Sequence, residues 1–467
     1  MSIIGVYGIP DASSVLYYGL HALQHRGQEG AGIVTFDEEG QPHRHRGLGL
    51  VQEVFNNERL ASLPGSIGLG SVRYANKSKS SLDNVQPTFF RHFTGDFAIA
   101  GDGCLVNSLQ LRRDMERNGS LFQSATDSEL LAHMVKKDNC RPRIFPLVEA
   151  LSIMDGSFSF VIMTKNRLYA CRDKNGFKPL AIGRLGDGYV VSSETCAFDL
   201  IGAEFLRDVK PGEVITIDDK GIRSRFYTDS PCHNYMCAME YIYLARPDSD
   251  IDGCNVHAYR KESGRRLFRE CPADADIVVG VPDSSLSAAM GYSEESGIPY
   301  EMGLIKSKYV ARTFIQPSQS MRERGVKMKL SALRSIVSGK RIVLVDDSIV
   351  RGTTSLKIVK MLRDAGATEV HVRIASPRMT HPCFYGVDTS TPEELLCSNR
   401  TTEEACKVIG ADSLGYLSPE STIKSCPGRS EMCLACFTGE YPTKLYREPI
   451  EQPEELEIWP KATKTQE

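Results

Sequence analysis

The chain carries no excess of basic residues: 56 Lys and Arg stand against 59 Asp and Glu, for a formal net charge of -3. A general nucleic-acid binder would show a positive surplus, so that class is set aside. Long apolar runs are also missing. No stretch reaches the length of a membrane span, and Met1-Ser2-Ile3-Ile4-Gly5 lacks the basic opening of a signal peptide. No membrane partner is expected, and a cytoplasmic location follows by default. Internal repeats and low-complexity tracts are absent as well. What is present is an ordinary globular composition, 41% hydrophobic and 25% charged, over 467 residues. That length exceeds what one core usually spans, so two domains are expected. Fourteen cysteines in so long a chain do not suggest a disulfide scaffold. In a reducing compartment they are free thiols or metal ligands.

Short β-prone runs fill the first half: Ile3–Tyr7, Gly32–Phe36, Phe97–Ala100, Phe158–Thr164, Tyr189–Ser192 and Glu213–Ile217, several bounded by Gly, Asn or Asp. Helical patterns at Ser14–Gln24, Asp127–Lys137 and Ile144–Met154 interrupt them. An α+β or layered domain over residues 1–230 is predicted, with Asp229-Ser230-Pro231 as a linker. From 231 to 447 strand and helix alternate: Ile277–Val281 before Ser285–Ser296, Ile342–Val345 before Ser355–Ala365, then Glu369–Ala375. This is the βαβ rhythm of an α/β parallel sheet. Residues 448–467, rich in Glu, Pro and Lys, form a charged tail.

The most informative stretch is IVLVDDSIVRGTT, Ile342 to Thr354. Its four apolar residues fit a strand covered on both faces. Asp346 and Asp347 fall at the carboxyl end, where open α/β sheets place their ligand crevice. Ser348, Ile349, Val350, Arg351, Gly352, Thr353 and Thr354 offer hydroxyls and backbone amides at the next helix start, which suits a phosphate monoester. The paired carboxylates suit a polyhydroxylated sugar or its magnesium ion. A buried strand followed by a capped helix is the plain alternative, but two acids, a Gly and two Thr in this order make it the weaker one. The stretch closely resembles the phosphoribosylpyrophosphate (PRPP) motif of type I phosphoribosyltransferases.

Upstream, Val281-Pro282-Asp283-Ser284-Ser285 joins a strand to a helix. Ser and Asp there could simply cap the helix; beside the aspartate pair they could equally hold pyrophosphate and its metal. Between these motifs lies a basic run with Lys306, Lys308, Arg312, Arg322, Arg324, Lys327, Lys329 and Arg334, broken by Tyr309, Phe314, Pro317 and Gly325. A charge run is usually a solvated surface, yet this one suits a lid that closes over an anion. Loss of pyrophosphate leaves an electron-poor anomeric carbon that water would capture unless excluded. Cys433-Leu434-Ala435-Cys436, taken alone, is half a zinc site, a redox dithiol or coincidence, with zinc the first choice. Cys426, Cys232, Cys237 and Cys383 are available as further ligands.

The strings KYVARTFIQPSQSMRERGVKMKLSALR (Lys308–Arg334), MEYIYLARPDSDIDG (Met239–Gly253) and QHRGQEGAGIV (Gln24–Val34) resemble the glutamine PRPP amidotransferase family over about residues 1 to 447. The resemblance implies an N-terminal glutaminase domain of the N-terminal-nucleophile hydrolase fold followed by a type I phosphoribosyltransferase domain. It also implies magnesium at Ser284, Asp346 and Asp347, a sugar-phosphate cradle at Ser348 to Thr354, a catalytic loop in the basic run, and a homo-oligomer. The iron–sulfur subgroup of the family is similar around Cys237, Cys383, Cys433 and Cys436, which implies a structural 4Fe-4S cluster, with zinc as the alternative. Cys232, Cys254 and Cys271 are read as buried apolar residues.

The glutaminase half departs from that pattern at its chemistry. Register from Gly5, Gly8 and Gln24-His25-Arg26-Gly27 puts Met1 where the family has its nucleophilic cysteine, and a thioether has no proton to give up. Ser2, one residue later on a strand, would point to the opposite face. Gly101-Asp102-Gly103-Cys104 replaces the family's His-Asn-Gly-Asn, and an ionised Asp102 accepts hydrogen bonds where the oxyanion needs a donor. Ser71, Asn76 and Lys77 depart as well. Arg73 and Asp127, which in the family grip glutamine's carboxylate and amine, remain. The expected activity is formation of 5-phosphoribosylamine and pyrophosphate from PRPP and ammonia, the first step of purine synthesis, with purine nucleotides as candidate inhibitors. The runner-up is a non-catalytic PRPP- or nucleotide-binding regulatory paralogue. A salvage-type nucleobase transferase is disfavoured by the amidotransferase-like first half.

Overall fold

Residues 2 to 7 set the layering of the first half. Along Ser2–Tyr7, Ile4 and Val6 join Leu16 and Leu20 of the helix Ala12–Ala22, whereas Ile3 joins Val161, Met163 and Leu168 of a second sheet. The period-two alternation thus separates two cores on either side of one sheet. The computed structural model describes residues 1–74, 81–136, 146–229, 232–307, 330–389 and 391–446.

The first sheet has seven antiparallel strands in the order Glu204–Asp208, Ala181–Leu185, Gly188–Ser192, Ser2–Tyr7, Ile67–Arg73, Gly30–Phe36 and Pro42–Leu48. The second has six, also antiparallel: Gly221–Phe226, Glu213–Asp218, Arg167–Arg172, Gly156–Thr164, Phe97–Leu105 and Thr88–Phe90. Helices Asp127–Lys136 and Pro146–Ile153 cover its outer face, with Leu130, Leu131 and Leu151 packed on Ile99, Phe158 and Phe160. Helix, sheet, sheet and helix make four layers. Each predicted strand of this half is present. Several others carry no legible signal: Pro42–Leu48 is polar, and Ile67–Arg73 is interrupted by Gly68 and Gly70.

The second half is built on four parallel strands, Ile277–Gly280, Arg341–Asp346, Glu369–Ile374 and Ser413–Tyr416. Ile342 and Leu344 pack on Ile358 and Leu362 of the helix Thr353–Asp364. Val343 and Val345 face the other way, toward Leu267, Ala289 and Tyr292 of the helices Val256–Glu270 and Leu286–Ser296. Two covered faces explain why this strand reads as a continuous apolar run. A two-stranded ladder, Leu304–Lys306 with Leu330–Ala332, flanks the sheet. Lys308, Arg312, Arg322, Arg324, Lys327 and Lys329, Asn76 and Lys77, the ends of two predicted helices at Lys137 and Ile144, and the charged tail lie outside the described residues. No helix of the described residues is long and apolar enough to cross a membrane.

Candidate functional site

Two adjacent parallel strands, Ile277–Gly280 and Arg341–Asp346, bring their carboxyl ends side by side. There Ser284 Oγ donates to Asp347 Oδ2, and Ser285 Oγ donates to Asp346 Oδ1 at 3.0 Å. The Asp347 amide donates to Asp346 Oδ1 at 2.9 Å, and Ser348 Oγ to Asp347 Oδ1 at 2.7 Å. Burial raises both carboxyl groups above the ordinary carboxylate range, and at Asp346 the Asp347 charge raises it further. The buried Arg260 pulls Asp347 down only partly. Its guanidinium donates to the carbonyls of Tyr241 and Ala245, at 2.7 and 2.8 Å. Two carboxyls whose near contacts are hydroxyls and an amide have oxygen ligands to spare, and they fit a divalent cation such as magnesium.

Behind them, Gly352 takes φ 76 and caps the helix Thr353–Asp364. A Cβ at Gly352 would lie 2.8 Å from Leu396 Cδ2, so this left-handed cap takes only glycine. Thr353 and Thr354 are exposed at the first turn, where unpaired backbone amides face outward. Ile349 packs into the core and the Val350 carbonyl accepts from the Leu396 amide at 2.8 Å. Arg351 pairs with Glu394 at 2.6 Å on the surface. Of the predicted cradle, Ile349, Val350 and Arg351 thus anchor the loop, the Ser348 hydroxyl is turned to Asp347, and Thr353 and Thr354 remain exposed. Lys306 is paired with Asp283, and Arg334 opens the short helix Arg334–Val337.

A cavity of about 1440 Å³ opens in the first half, lined among others by Met1, Arg73, Asp102, Cys104 and Asp127. The sequence-predicted residues of that half are thus gathered in one place. Gln86 Nε2 contacts Met1 Sδ at 3.6 Å, while Gln86 Oε1 accepts from the Gly101 amide and Ser128 Oγ. Arg73 is buried and donates to the Asn84 carbonyl at 2.7 Å; Asp127 accepts from the Leu105 amide at 3.0 Å. Ser2 is fully buried on the strand between Met1 and Ile3, its Oγ lacks a hydrogen-bond partner among the described residues, and it does not line the cavity.

Asp102 is closed off by cations. Arg26 Nη2 donates to it at 3.2 Å, and the Met1 ammonium lies 3.4 Å away. Burial alone would raise this carboxyl, but the Met1 ammonium, Lys178 and Arg26 outweigh it and hold the group well below the usual range. Burial also lowers the Met1 amine despite Asp102. The guanidinium, which keeps its proton, is therefore the constant partner. Arg26 in turn pairs at 2.7 Å with both Glu194 and Glu240, and Lys178 pairs with Glu240 at 2.9 Å.

Cys237, Cys383, Cys433 and Cys436 come together although they lie far apart in sequence. Cys237 and Cys433 are joined by a parallel backbone bridge, and the Tyr385 amide donates to Cys383 Sγ at 3.2 Å. Burial pushes up the thiols of Cys237, Cys433 and Cys436, and the nearby cysteines push them further. Among the described residues no group of three or more His, Cys, Asp or Glu side chains has metal-binding geometry as the side chains stand. The donor chemistry, four clustered and largely buried sulfurs with an amide aimed at one of them, fits a thiolate-bound centre.

The glutamine amidotransferase domain family matches residues 76–199, and the phosphoribosyl transferase domain family matches residues 261–405. Amidophosphoribosyltransferase of Bacillus subtilis (strain 168) is 52% identical over 454 residues, covering 96% of this chain and 95% of that protein. The chain belongs to the amidophosphoribosyltransferase family. The corresponding protein of Staphylococcus aureus (strain Mu50) is 48% identical over 95% of this chain and 91% of its own length. The solved B. subtilis glutamine PRPP amidotransferase, complexed with ADP and GMP, superposes with a TM-score of 0.91 at 51% identity, covering 96% of this chain and 99% of that one. The fold is accordingly the family's: an N-terminal-nucleophile-hydrolase-like domain and a type I phosphoribosyltransferase domain.

Within this family fold, several residues that shape the sites carry no sequence signal. Ser285 donates to Asp346 as Ser284 donates to Asp347, although magnesium was expected at Ser284 and not at Ser285. Glu240 reaches from the second half to Arg26 of the first, 214 positions away. The loop after Cys383 roofs the cavity: Phe384 lines it, and a Cβ at Gly386 would lie 3.2 Å from the Gly103 carbonyl carbon. The Glu240 carboxylate stands in an apolar-looking string, MEYIYLA, and only its spacing from buried Arg26 in space reveals it.

Proposed function

We propose that this chain transfers the 5-phosphoribosyl group of PRPP to ammonia, releasing 5-phosphoribosylamine and pyrophosphate. The observation that carries the reaction is the carboxylate pair Asp346–Asp347 facing Ser284 and Ser285 at two strand ends, with the Gly352-capped helix behind. A phosphate at that helix start meets amides and the Thr353 and Thr354 hydroxyls. The carboxylates hold the ribose hydroxyls or, when magnesium is bound, the ion that offsets the charge of the departing pyrophosphate. Ammonia then attacks the anomeric carbon as the carbon–oxygen bond to pyrophosphate breaks, and one ammonium proton is lost to solvent.

Asp102 supports ammonia, not glutamine, as the donor. Thioester chemistry needs a thiol at position 1 and a donor beside the oxyanion, and this chain offers a thioether and an ionised carboxylate. Arg73 and Asp127 leave the cavity able to bind an amino acid without cleaving it. When bound, a 4Fe-4S cluster at Cys237, Cys383, Cys433 and Cys436, or zinc in its place, would tie remote segments of the second half together. A homo-oligomer under purine-nucleotide control completes the proposal. The test is phosphoribosylamine formation from PRPP and magnesium, with ammonia and with glutamine side by side. Turnover with ammonia and none with glutamine is expected. Glutamate release from glutamine would overturn the donor assignment, and no turnover with either would favour a PRPP-binding regulatory paralogue.

A further inference from the structure

The open edges of the two antiparallel sheets meet on one side of the first half. Pro42–Leu48 is the last strand of the seven-stranded sheet, and Thr88–Phe90 is the last of the six-stranded one. Arg44 and Arg46 stand two apart on Pro42–Leu48, opposite Val34 and Gly32 in the ladder, so both side chains leave the same face. That face looks toward the second sheet. Arg46 Nη1 donates to the Val85 carbonyl at 3.1 Å, and the Arg44 guanidinium lies 5.1 Å from the centre of the Phe89 ring. Between the edges lies a cavity of about 290 Å³, lined among others by Arg44, Arg46, Arg91, Thr88, Phe89 and Leu121. It is distinct from the cavity of Met1 and Asp102, and the segment 85–89 is the wall between them. Gln86 turns its side chain to Met1 and the Gly101 amide, whereas Pro87, Thr88 and Phe89 line the arginine cleft.

The charges of this cleft do not cancel. Glu129 on its rim is already engaged: it accepts from the Gln123 and Ser124 amides at 2.7 and 2.6 Å and from Ser124 Oγ at 2.7 Å. Asp83 accepts from Ser81 Oγ at 3.2 Å. None of Arg44, Arg46 and Arg91 forms an ion pair among the described residues. Guanidinium forks held in one cleft without a carboxylate match the geometry and charge of a phosphate. A bare anion would leave the rest of the cleft unfilled, because Leu121, 84% exposed, and the half-buried Phe89 ring give it an apolar side. We propose that this cleft binds a small organic phosphate, with Arg44, Arg46 and Arg91 on the phosphate and Phe89 and Leu121 against its carbon part. The volume suits a ligand at the small end of the usual range. Arg46 would then hold the ligand while bonded to Val85, next to Gln86, whose side chain touches Met1.

The test titrates the full-length protein by calorimetry with phenyl phosphate, inorganic phosphate and phenol, in a chelator so that no divalent cation serves the Asp346–Asp347 pair. Phenyl phosphate should saturate one site per chain. Inorganic phosphate should bind at least about tenfold more weakly, since it leaves the apolar side unfilled, and phenol should not bind. Arg44 and Arg91 are exposed, so R44Q and R91Q should each keep the wild-type melting midpoint and weaken phenyl phosphate at least about tenfold. D346N, in the other half, should leave that affinity unchanged, which separates this cleft from the site proposed for PRPP. Four results would overturn the proposal. They are no saturable binding of phenyl phosphate, equal affinity for inorganic phosphate, wild-type affinity in both R44Q and R91Q, or loss of binding in D346N.

Discussion

The two halves each bury carboxylates at the place where a ligand would react, and they treat them in opposite ways. In the second half Asp346 and Asp347 face hydroxyls and an amide, and burial lifts both above the ordinary range. In the first half Asp102 is met by Arg26 and the Met1 ammonium and is driven well below it. One set of carboxyls has no cation of the protein hydrogen-bonded to it among the described residues, while the other is neutralised by the protein's own cations. The first half thus keeps a cavity lined by Arg73 and Asp127 while Asp102, on the same wall, is held in internal ion pairs.

The largest effect should come from the open pair. If the proposed PRPP site is right, replacing Asp347 by Asn removes a charge that serves the metal-bound pyrophosphate, and phosphoribosylamine formation with ammonia should fall by at least about 10³-fold. Thermal stability should hold or rise, because the carboxyl is strained by burial. An unchanged rate would mean that the pair does not serve PRPP. The closed carboxylate gives the next effect. M1C alone should restore little glutamine hydrolysis. M1C with D102N supplies both a thiol and an amide donor, and should release glutamate about 10²-fold faster than M1C alone. Equal rates for the two variants would show that Asp102 is no obstacle.

The smallest effect concerns a third kind of buried carboxylate. Asp173 accepts from the backbone amides of Phe158, Asn175 and Phe177, yet burial outweighs them and pushes its carboxyl up to about 6. A folded value above the unfolded one means stability is fully present below about pH 4 and is lost as pH rises through about 6. The cost is on the order of 3 kcal/mol. D173N should remove that slope. The gap between wild-type and variant melting midpoints should then shift by a few degrees between pH 4.5 and pH 6.5. A constant gap would show that backbone amides suffice to settle a buried carboxylate.

Much of this contrast was legible before any coordinates. The strand Arg341–Asp346 and its aspartates are contiguous, so a single period and a single loop reveal them. The unusual residues Met1 and Asp102 stand out only because neighbouring residues fix the register of the family. The ion pairs of Asp102 are not legible in the sequence, because its partner Arg26 is 76 positions away and Arg26's further partners, Glu194 and Glu240, are 168 and 214 away from Arg26. The convergence of Cys237 and Cys383 with Cys433 and Cys436 came from resemblance for the same reason: spacing in sequence says nothing about a meeting of segments 50 to 200 residues apart. Strands such as Pro42–Leu48 were missed because their pairing comes from neighbours and not from their own polar side chains.

Glu240 has one more consequence. Its two oxygens answer Arg26 and Lys178, both buried cations of the first half, from a segment that belongs to the second. Cut between the halves, the first would be left holding positive charge in a dry interior with too few counter-charges, and the second would expose a carboxylate made for burial. Modularity in the family record and autonomy in solution are separate properties. Here the two modules share one electroneutral core, and heat should melt them as a single cooperative body.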